Sequence, residues 1–293
     1  MIVFKGKTFA ECYQASLIHL TSHGIVNKAR GTVSKELLDV ALEIEDPSSC
    51  FYANETRSSQ FKYVAAELLW YYMGRNDVEF ISKYAKFWER IQNPDGTVNS
   101  AYGNLIFNEK NEHGITQYQW AIQSLMSDSN TRQAILHFNK PVHQHFENKD
   151  FVCTMYANLH IRENKLHMSV FMRSNDVILG TPTDVAFFCS LQLQIYSHLL
   201  QIYPNLELGK FTHIANSYHV YDRHYEMIDK MLQTEFVPVV FPEIGVCDLI
   251  EIDGTPTIEL NELFDYVENQ STDLLIFQEG TALVKWIYDN IKK

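Results

Sequence analysis

Apolar and polar residues alternate through Met155, Ala157, Leu159 and Ile161, give way to a polar turn at 162–165, and alternate again from Leu166 to Met172. A period of two with a polar break predicts a β-hairpin. Similar alternation predicts strands over 38–44 and 211–220. Phe9, Tyr13, Leu17 and Leu20 instead fall on one face of a helix predicted over 8–22, with Gly24 as its stop. The most hydrophobic helix of the amino-terminal half is predicted over 58–73, capped by Ser58 and ended by Gly74. Further helices are predicted near 77–86, over 116–127 and, long and apolar, over 184–203. Residues 235–293 mix proline-bearing loops with short helices at 260–268 and 280–291.

Composition narrows the classes. The 293 residues suffice for one large domain or two, and 46% hydrophobic with 20% charged is ordinary globular usage. A formal charge of −12 argues against a general nucleic-acid surface, which needs clustered Lys and Arg, although a few arginines still suffice for one small phosphate. Five scattered cysteines without CxxC or Cys/His spacing indicate neither a disulfide framework nor a metal site, and a reducing compartment is expected. With no early signal segment and no apolar run of membrane-spanning length, the expectation is a cytoplasmic protein that does not engage a membrane.

The hairpin also carries chemistry. Cys153 opens its first strand and Arg173 follows its second, so the pairing can set the two side by side. The thiolate is the reactive form of cysteine, and a permanently charged guanidinium favours it. By pattern alone, a cysteine in a half-apolar strand is more often a small core residue. Glu67 lies mid-helix among Ala, Leu and Trp, where a carboxylate is costly unless paired, protonated or turned to solvent. His219 and Tyr221 are two apart on a strand and share a face. Arg30 sits in a polar loop, and aromatic Trp88 and Tyr102 flank a Pro-Asp-Gly turn, positions that are usually solvated and core respectively.

The order and spacing of Cys153, Tyr156, Arg173, Ser174, Asp176, Leu179, Gly180 and Pro182 resemble the thymidylate synthase family. The resemblance extends to His219 and Tyr221 in SYHVYDRHYE, to Glu67 in AELLWYYMG, to Trp88 and to Tyr102-Gly103. It spans residues 20–230 and leaves the carboxy-terminal stretch unmatched. It implies an α+β, thymidylate-synthase-like fold with a large mixed or antiparallel sheet, flanking helices and a homodimer formed through the sheet face. The expected organisation is a catalytic domain over 1–234 with 235–293 as an extension packed on it.

The resemblance also implies roles. Cys153 would add to C6 of a pyrimidine nucleoside monophosphate, making C5 a carbon nucleophile for the one-carbon unit of 5,10-methylenetetrahydrofolate. Hydride then yields a methyl group, and water a hydroxymethyl group. Glu67 would relay protons. Arg30, Arg173, Ser174 and Asn175, with Arg132 donated across the dimer interface, would hold the nucleotide and its phosphate. His219 and Tyr221 would hold the sugar, while Trp88, Tyr102, Asp176 and Gly180 would contact the folate. Gln133 stands where the family generally has a second interface arginine, which removes one charge from the phosphate site.

At Asp184 the thymidylate synthases carry asparagine, which reads uracil through N3-H and O4. A protonated Asp184 could instead donate to cytosine N3 and accept from its exocyclic amine; the remaining possibility from position alone is a surface aspartate capping the next helix. Thr154 replaces a histidine and Met172 a glutamine, and the strings CT, MRSND and HVYDRH look like the deoxycytidylate hydroxymethylase branch. The terminal WIYDNIKK also differs from the apolar tail that closes thymidylate synthases, which fits a site admitting water. The expected activity is 5-hydroxymethylation of dCMP or CMP. The alternatives are methylation, a dUMP hydroxymethylase, or a catalytically silent nucleotide- or RNA-binding relative.

Overall fold

The computed structural model describes residues 1–29, 31–269 and 281–292. The strands, in chain order, are β1 (Ile2–Gly6), β2 (Ile25–Ala29), β3 (Thr32–Ile44), β4 (Phe51–Ala53), β5 (Ile135–His137), β6 (Thr154–Arg162), β7 (Lys165–Met172), β8 (Asn175–Asp176), β9 (Glu207–Tyr221) and β10 (Val237–Val239). The helices are α1 (Phe9–His23), α2 (Phe61–Tyr72), α3 (Val78–Ile81), α4 (Phe87–Ile91), α5 (Gln117–Ser127), α6 (Thr181–Leu199), α7 (Tyr225–Met231), α8 (Ile258–Asn269) and α9 (Ala282–Lys292). Two compact units interleave along the chain. The first takes 1–59, 153–193 and 206–241, and the second takes 60–152, 194–205 and 242–293.

The first unit is built on a mixed sheet in which β1, β3, β9, β7 and β6 lie side by side, with β2 added to β3 and β8 to β9. Pairings of β1 with β3 and of β7 and β8 with β9 are parallel, and those of β2 with β3, β3 with β9 and β6 with β7 are antiparallel. The hairpin expected at 155–172 is β6–β7, turned by Glu163 and Asn164 at φ 51° and 58°. Two consecutive left-handed residues match the twist of the flanking strands. Strand β3 begins at Thr32 rather than Leu38, because backbone bonding to β2 extends it through a polar segment that needs no apolar face. Strand β9 likewise outruns its apolar core at both ends.

Helix α1 starts as a capping box: Glu11 N-H donates to Thr8 Oγ1 at 3.3 Å, and Thr8 N-H donates to the Glu11 carboxylate. Its buried face stacks Phe9 on Tyr13 at 5.1 Å and sets Tyr13 5.0 Å from Tyr52. Tyr13 OH then donates to the Val177 carbonyl at 2.7 Å, anchoring the segment between β8 and α6 to the core. Helix α6 starts at Thr181 rather than 184 and ends at Leu199 rather than 203. Pro182 fits the first turn, where no backbone N-H is required, so Asp184 lies inside the helix and not ahead of it.

In the second unit α2 is buried on all sides from Val64 to Tyr72, as an all-round apolar helix must be. It begins at Phe61, not Ser58. Ser58 Oγ is engaged by the Asn54 backbone instead, accepting from its N-H and donating to its carbonyl, both at 3.0 Å. The helix expected over 77–86 is only α3, because tight turns from Lys83 to Phe80 and from Tyr84 to Ile81 break the α pattern. Helix α5 carries its own capping box from Thr116 and Gln119. Trp286 of α9 meets Phe61 of α2 edge-on at 6.2 Å, and Phe264 of α8 packs 5.1 Å from Phe80. Among the described residues no helix is long and apolar enough to cross a membrane, and no three His, Cys, Asp or Glu side chains are grouped to hold a metal.

Candidate active site

Cys153 immediately precedes β6 and Arg173 immediately follows β7, so the hairpin register brings them together. Arg173 N-H donates to the Cys153 carbonyl at 2.9 Å, and Arg173 Nη2 lies 3.5 Å from Cys153 Sγ. Cys153 is half-buried. It differs from Cys12, whose thiol burial pushes up to about 12, and from Cys189, raised by burial among core side chains. Those two are packing residues; Cys153 has both access and a cation beside it. Ser174 follows, half-buried, and Ser217 N-H donates to the Arg173 carbonyl at 3.2 Å, tying this corner to β9.

Strand β8 lies parallel to β9, with Asn175 opposite Tyr218 and Asp176 opposite His219. Asp176 Oδ1 accepts from the N-H groups of Ile178 and Leu179 at 2.8 and 3.0 Å, while its buried Oδ2 has no hydrogen-bond partner among the described residues. Asn175 is buried, and its Nδ2 donates to Asp184 Oδ2 at 2.7 Å. Its Oδ1 accepts from Thr181 Oγ1 at 2.5 Å and from His213 Nε2 at 3.0 Å. Gly180 makes room for this: a Cβ there would lie 2.8 Å from Asn175 Nδ2 and 3.3 Å from Asp184 Oδ2. On β9, His219 and Tyr221 stand edge to face at 5.1 Å, with the Arg223 guanidinium 4.5 Å from the Tyr221 ring centre.

The second unit assembles another group. Glu67 is 6% exposed, which excludes a solvent-facing position on α2. Tyr63 OH donates to Glu67 Oε1 at 2.6 Å and accepts from Trp88 Nε1 at 3.1 Å, and Tyr71 OH reaches the same Oε1 at 3.5 Å. Indole N-H is donor-only, so the single phenolic hydrogen of Tyr63 is directed to the carboxylate. Tyr71 also stacks on Tyr102 at 5.4 Å. Gly103 permits that stacking, since a Cβ there would fall 1.9 Å from the Tyr71 carbonyl oxygen. The structure thus links Glu67, Trp88 and Tyr102 through two tyrosines.

Arg132 is exposed ahead of β5, and so is Gln133, whose carbonyl accepts from Trp120 Nε1 at 2.8 Å. Arg30 lies outside the described residues. Sequence reading missed His213, Thr181 and Tyr63. Tyr63 carried a signal, standing one helical turn before Glu67. His213 carried none, because its contact with Asn175 depends on the pairing of β8 with β9.

The fold is that of a solved thermostable thymidylate synthase A from Bacillus subtilis, with a TM-score of 0.65 over 80% of this chain and 87% of that one at 22% identity. Residues 11–272 match the family model described as thymidylate synthase, and the chain belongs to the thymidylate synthase family. It is 27% identical to the deoxyuridylate hydroxymethyltransferase of Bacillus phage SP01, over 93% of this chain and 76% of that protein. It is 31% and 30% identical to the deoxycytidylate 5-hydroxymethyltransferases of Enterobacteria phages T6 and T4, in each case over 59% of this chain and 72% of the relative.

Proposed function

We propose that this protein transfers a one-carbon unit to C5 of a pyrimidine nucleoside monophosphate and delivers it as a hydroxymethyl group, with dCMP (or CMP) as substrate. The observation that carries the base assignment is Asp184, a carboxyl held by an amide N-H at 2.7 Å where the thymidylate synthases place an asparagine. Cytosine offers an acceptor at N3 beside a donor amine. A carboxyl group that keeps one oxygen as acceptor and exchanges a proton at the other complements that edge. The names of the phage relatives support hydroxymethyl transfer but divide between deoxyuridylate and deoxycytidylate, so the choice of base rests on Asp184.

Cys153 is the nucleophile. The Arg173 guanidinium at 3.5 Å stabilises negative charge on its sulfur. Thiolate addition at C6 forms the S–C6 bond and pushes the ring π electrons towards N3, where Asp184 returns a proton, leaving C5 electron-rich. After substitution at C5, Glu67, whose carboxyl accepts from the hydroxyls of Tyr63 and Tyr71, serves the C5 proton through ordered water. Arg173, Ser174 and Arg30 bind phosphate, with Arg132 supplied by a second copy of the chain, and His219 and Tyr221 bind the sugar.

Methylenetetrahydrofolate, when bound, supplies the one-carbon unit at the oxidation level of formaldehyde. The residues fit such a ligand: Asp176 Oδ2 is a buried acceptor without a partner among the described residues, suited to the N-H edge of an aminopyrimidinone ring, with Gly180 beside it. Trp88 and Tyr102 supply flat apolar faces.

The test is tritium release from C5-labelled dCMP, CMP and dUMP with methylenetetrahydrofolate, with the mass of the nucleotide product. Release from dCMP with a gain of CH2O is expected, abolished in Cys153→Ser. A preference for dUMP with that gain replaces the base assignment by the one the SP01 relative carries. A gain of CH2 overturns the hydroxymethyl reading, and release from none with retained nucleotide binding identifies a binding protein.

A further inference from the structure

A base-reading carboxyl is useful only if it is oriented, because its two oxygens are chemically identical until something distinguishes them. We infer that Asn175, held by His213 and Thr181, is a positioning residue that fixes the carboxyl of Asp184 and thereby sets the preference between aminopyrimidine and oxopyrimidine nucleotides. The inference rests on Asp184 as the base reader proposed above. Asn175 itself has its amide turned inward. It is 4% exposed, its oxygen accepts from two side chains, and its nitrogen donates to Asp184.

The arrangement has one polarity. Flipping the Asn175 amide would put its carbonyl against the Asp184 carboxylate, a repulsive contact in place of a hydrogen bond. The Asp184 carboxylate, which only accepts, sets this polarity, and with Asn175 Oδ1 facing it His213, 1% exposed, must present Nε2 as the donor at 3.0 Å. Its other nitrogen, Nδ1, is buried with no partner among the described residues. An imidazole serving only stability would be expected to satisfy both nitrogens, so this ring sustains a desolvation cost to hold one donor in place.

The consequence for Asp184 is that Oδ2, which takes the amide N-H at 2.7 Å, is the acceptor oxygen. The proton exchanged with the pyrimidine is thereby assigned to Oδ1. A carboxyl free to rotate would present either oxygen and would read cytosine and uracil edges alike. Gly180 belongs to the same device, since a methyl group there would meet Asn175 Nδ2 at 2.8 Å and push the amide off Asp184.

The experiment compares dCMP and dUMP, by kcat/KM and by equilibrium binding of each nucleotide, in the wild type, Asn175→Ala, His213→Leu, His213→Gln and Gly180→Ala. Thermal unfolding serves as the control for folding. The expected result is that Asn175→Ala, His213→Leu and Gly180→Ala each reduce the ratio of dCMP to dUMP by about tenfold or more, through KM as well as kcat. His213→Gln, whose amide N-H can replace the imidazole donor, should keep the ratio within about threefold. A merely structural role would lower both substrates by one common factor, or make His213→Gln as damaging as His213→Leu, and either result overturns the inference. If the wild type binds and discriminates the nucleotides without turnover, the catalytic reading fails while the binding ratios still decide the role of Asn175. If it binds neither, both readings fall.

Discussion

Glu67 and Asp184 are both carboxyl groups with a short hydrogen bond to a neighbouring side chain, 2.6 Å for the first and 2.7 Å for the second, yet the partners differ in kind. Glu67 faces the hydroxyls of Tyr63 and Tyr71, each of which can donate or accept. Asp184 faces an amide nitrogen that can only donate. The Tyr71 hydroxyl can turn to suit a carboxyl that gains and loses a proton, while the Tyr63 hydroxyl, directed by Trp88 Nε1-H, steadies one oxygen of it. An amide N-H, held at its far end by His213 and Thr181, tolerates one orientation. On the proposed mechanism Glu67 relays a proton, while Asp184 must exchange one in a fixed orientation to read a base.

The largest break in this comparison comes from ending proton exchange at Glu67. Glu67→Gln preserves shape and removes the titratable group, and kcat is expected to fall by about 10²–10⁴, the range of general acid–base catalysis. Single-turnover measurements with preserved nucleotide binding would locate the loss in the chemical steps. An unchanged kcat would remove Glu67 from the mechanism.

The substitution Asp184→Asn tests the other side. The introduced amide must turn its oxygen to Asn175 Nδ2, since two donors cannot face each other, and its NH2 then offers a donor where Asp184 exchanged a proton. Held that way, the amide still presents an acceptor to the exocyclic amine and a donor to N3. The preference for dCMP over dUMP should therefore stay within about threefold while kcat falls by about 10²-fold, because an amide passes no proton to N3. Competition between the two nucleotides in one assay reads the ratio directly, and a swing towards dUMP would show that Asn175 does not fix the orientation of residue 184.

The donor behind Asp184 should show itself in acid. Burial lowers the His213 pKa from an ordinary 6.5 to about 4. In the unfolded chain the imidazole takes its proton near the ordinary value, so between those two pKa values the unfolded state binds a proton that the folded state does not. The contribution to stability is therefore complete above pH 6.5 and is lost as pH falls towards 4. The full difference corresponds to about 3 kcal/mol. Thermal midpoints of the wild type and His213→Gln, measured from neutral pH downwards, should converge or cross, with the wild type losing more. Parallel curves would mean that His213 is not the buried neutral base described.

How far the sequence revealed this depended on how local each feature is. The β6–β7 hairpin and α1 were legible because alternation, helical spacing and an end signal at Gly24 lie within a few residues of one another. The neighbourhood of Cys153 and Arg173 followed from the hairpin. The start of α6 was misplaced by three residues, and Ser58 was read as a cap although its hydroxyl bonds the Asn54 backbone. Both are choices between competing local hydrogen bonds that residue type does not decide. The His213–Asn175 contact joins strands 38 positions apart and could not be read from periodicity. Asp184 was singled out by resemblance alone; the structure adds the partner that orients it.

The finest test of the comparison lies within the Glu67 group. Two phenols address one oxygen, but Tyr63 does so at 2.6 Å and Tyr71 at 3.5 Å, the outer edge of hydrogen-bond geometry. Trp88 Nε1-H fixes the direction of the Tyr63 hydroxyl, and stacking on Tyr102 fixes the Tyr71 ring. Tyr63→Phe removes a strong bond to a charged group and leaves the indole N-H without its acceptor, so a loss of about tenfold or more in kcat is expected. Tyr71→Phe keeps the stacking and removes only a weak bond, and the loss should be about threefold or less. Equal losses would mean that the two hydroxyls share Glu67 in solution, and that the carboxyl is held by a pair rather than governed by the tyrosine one turn before it.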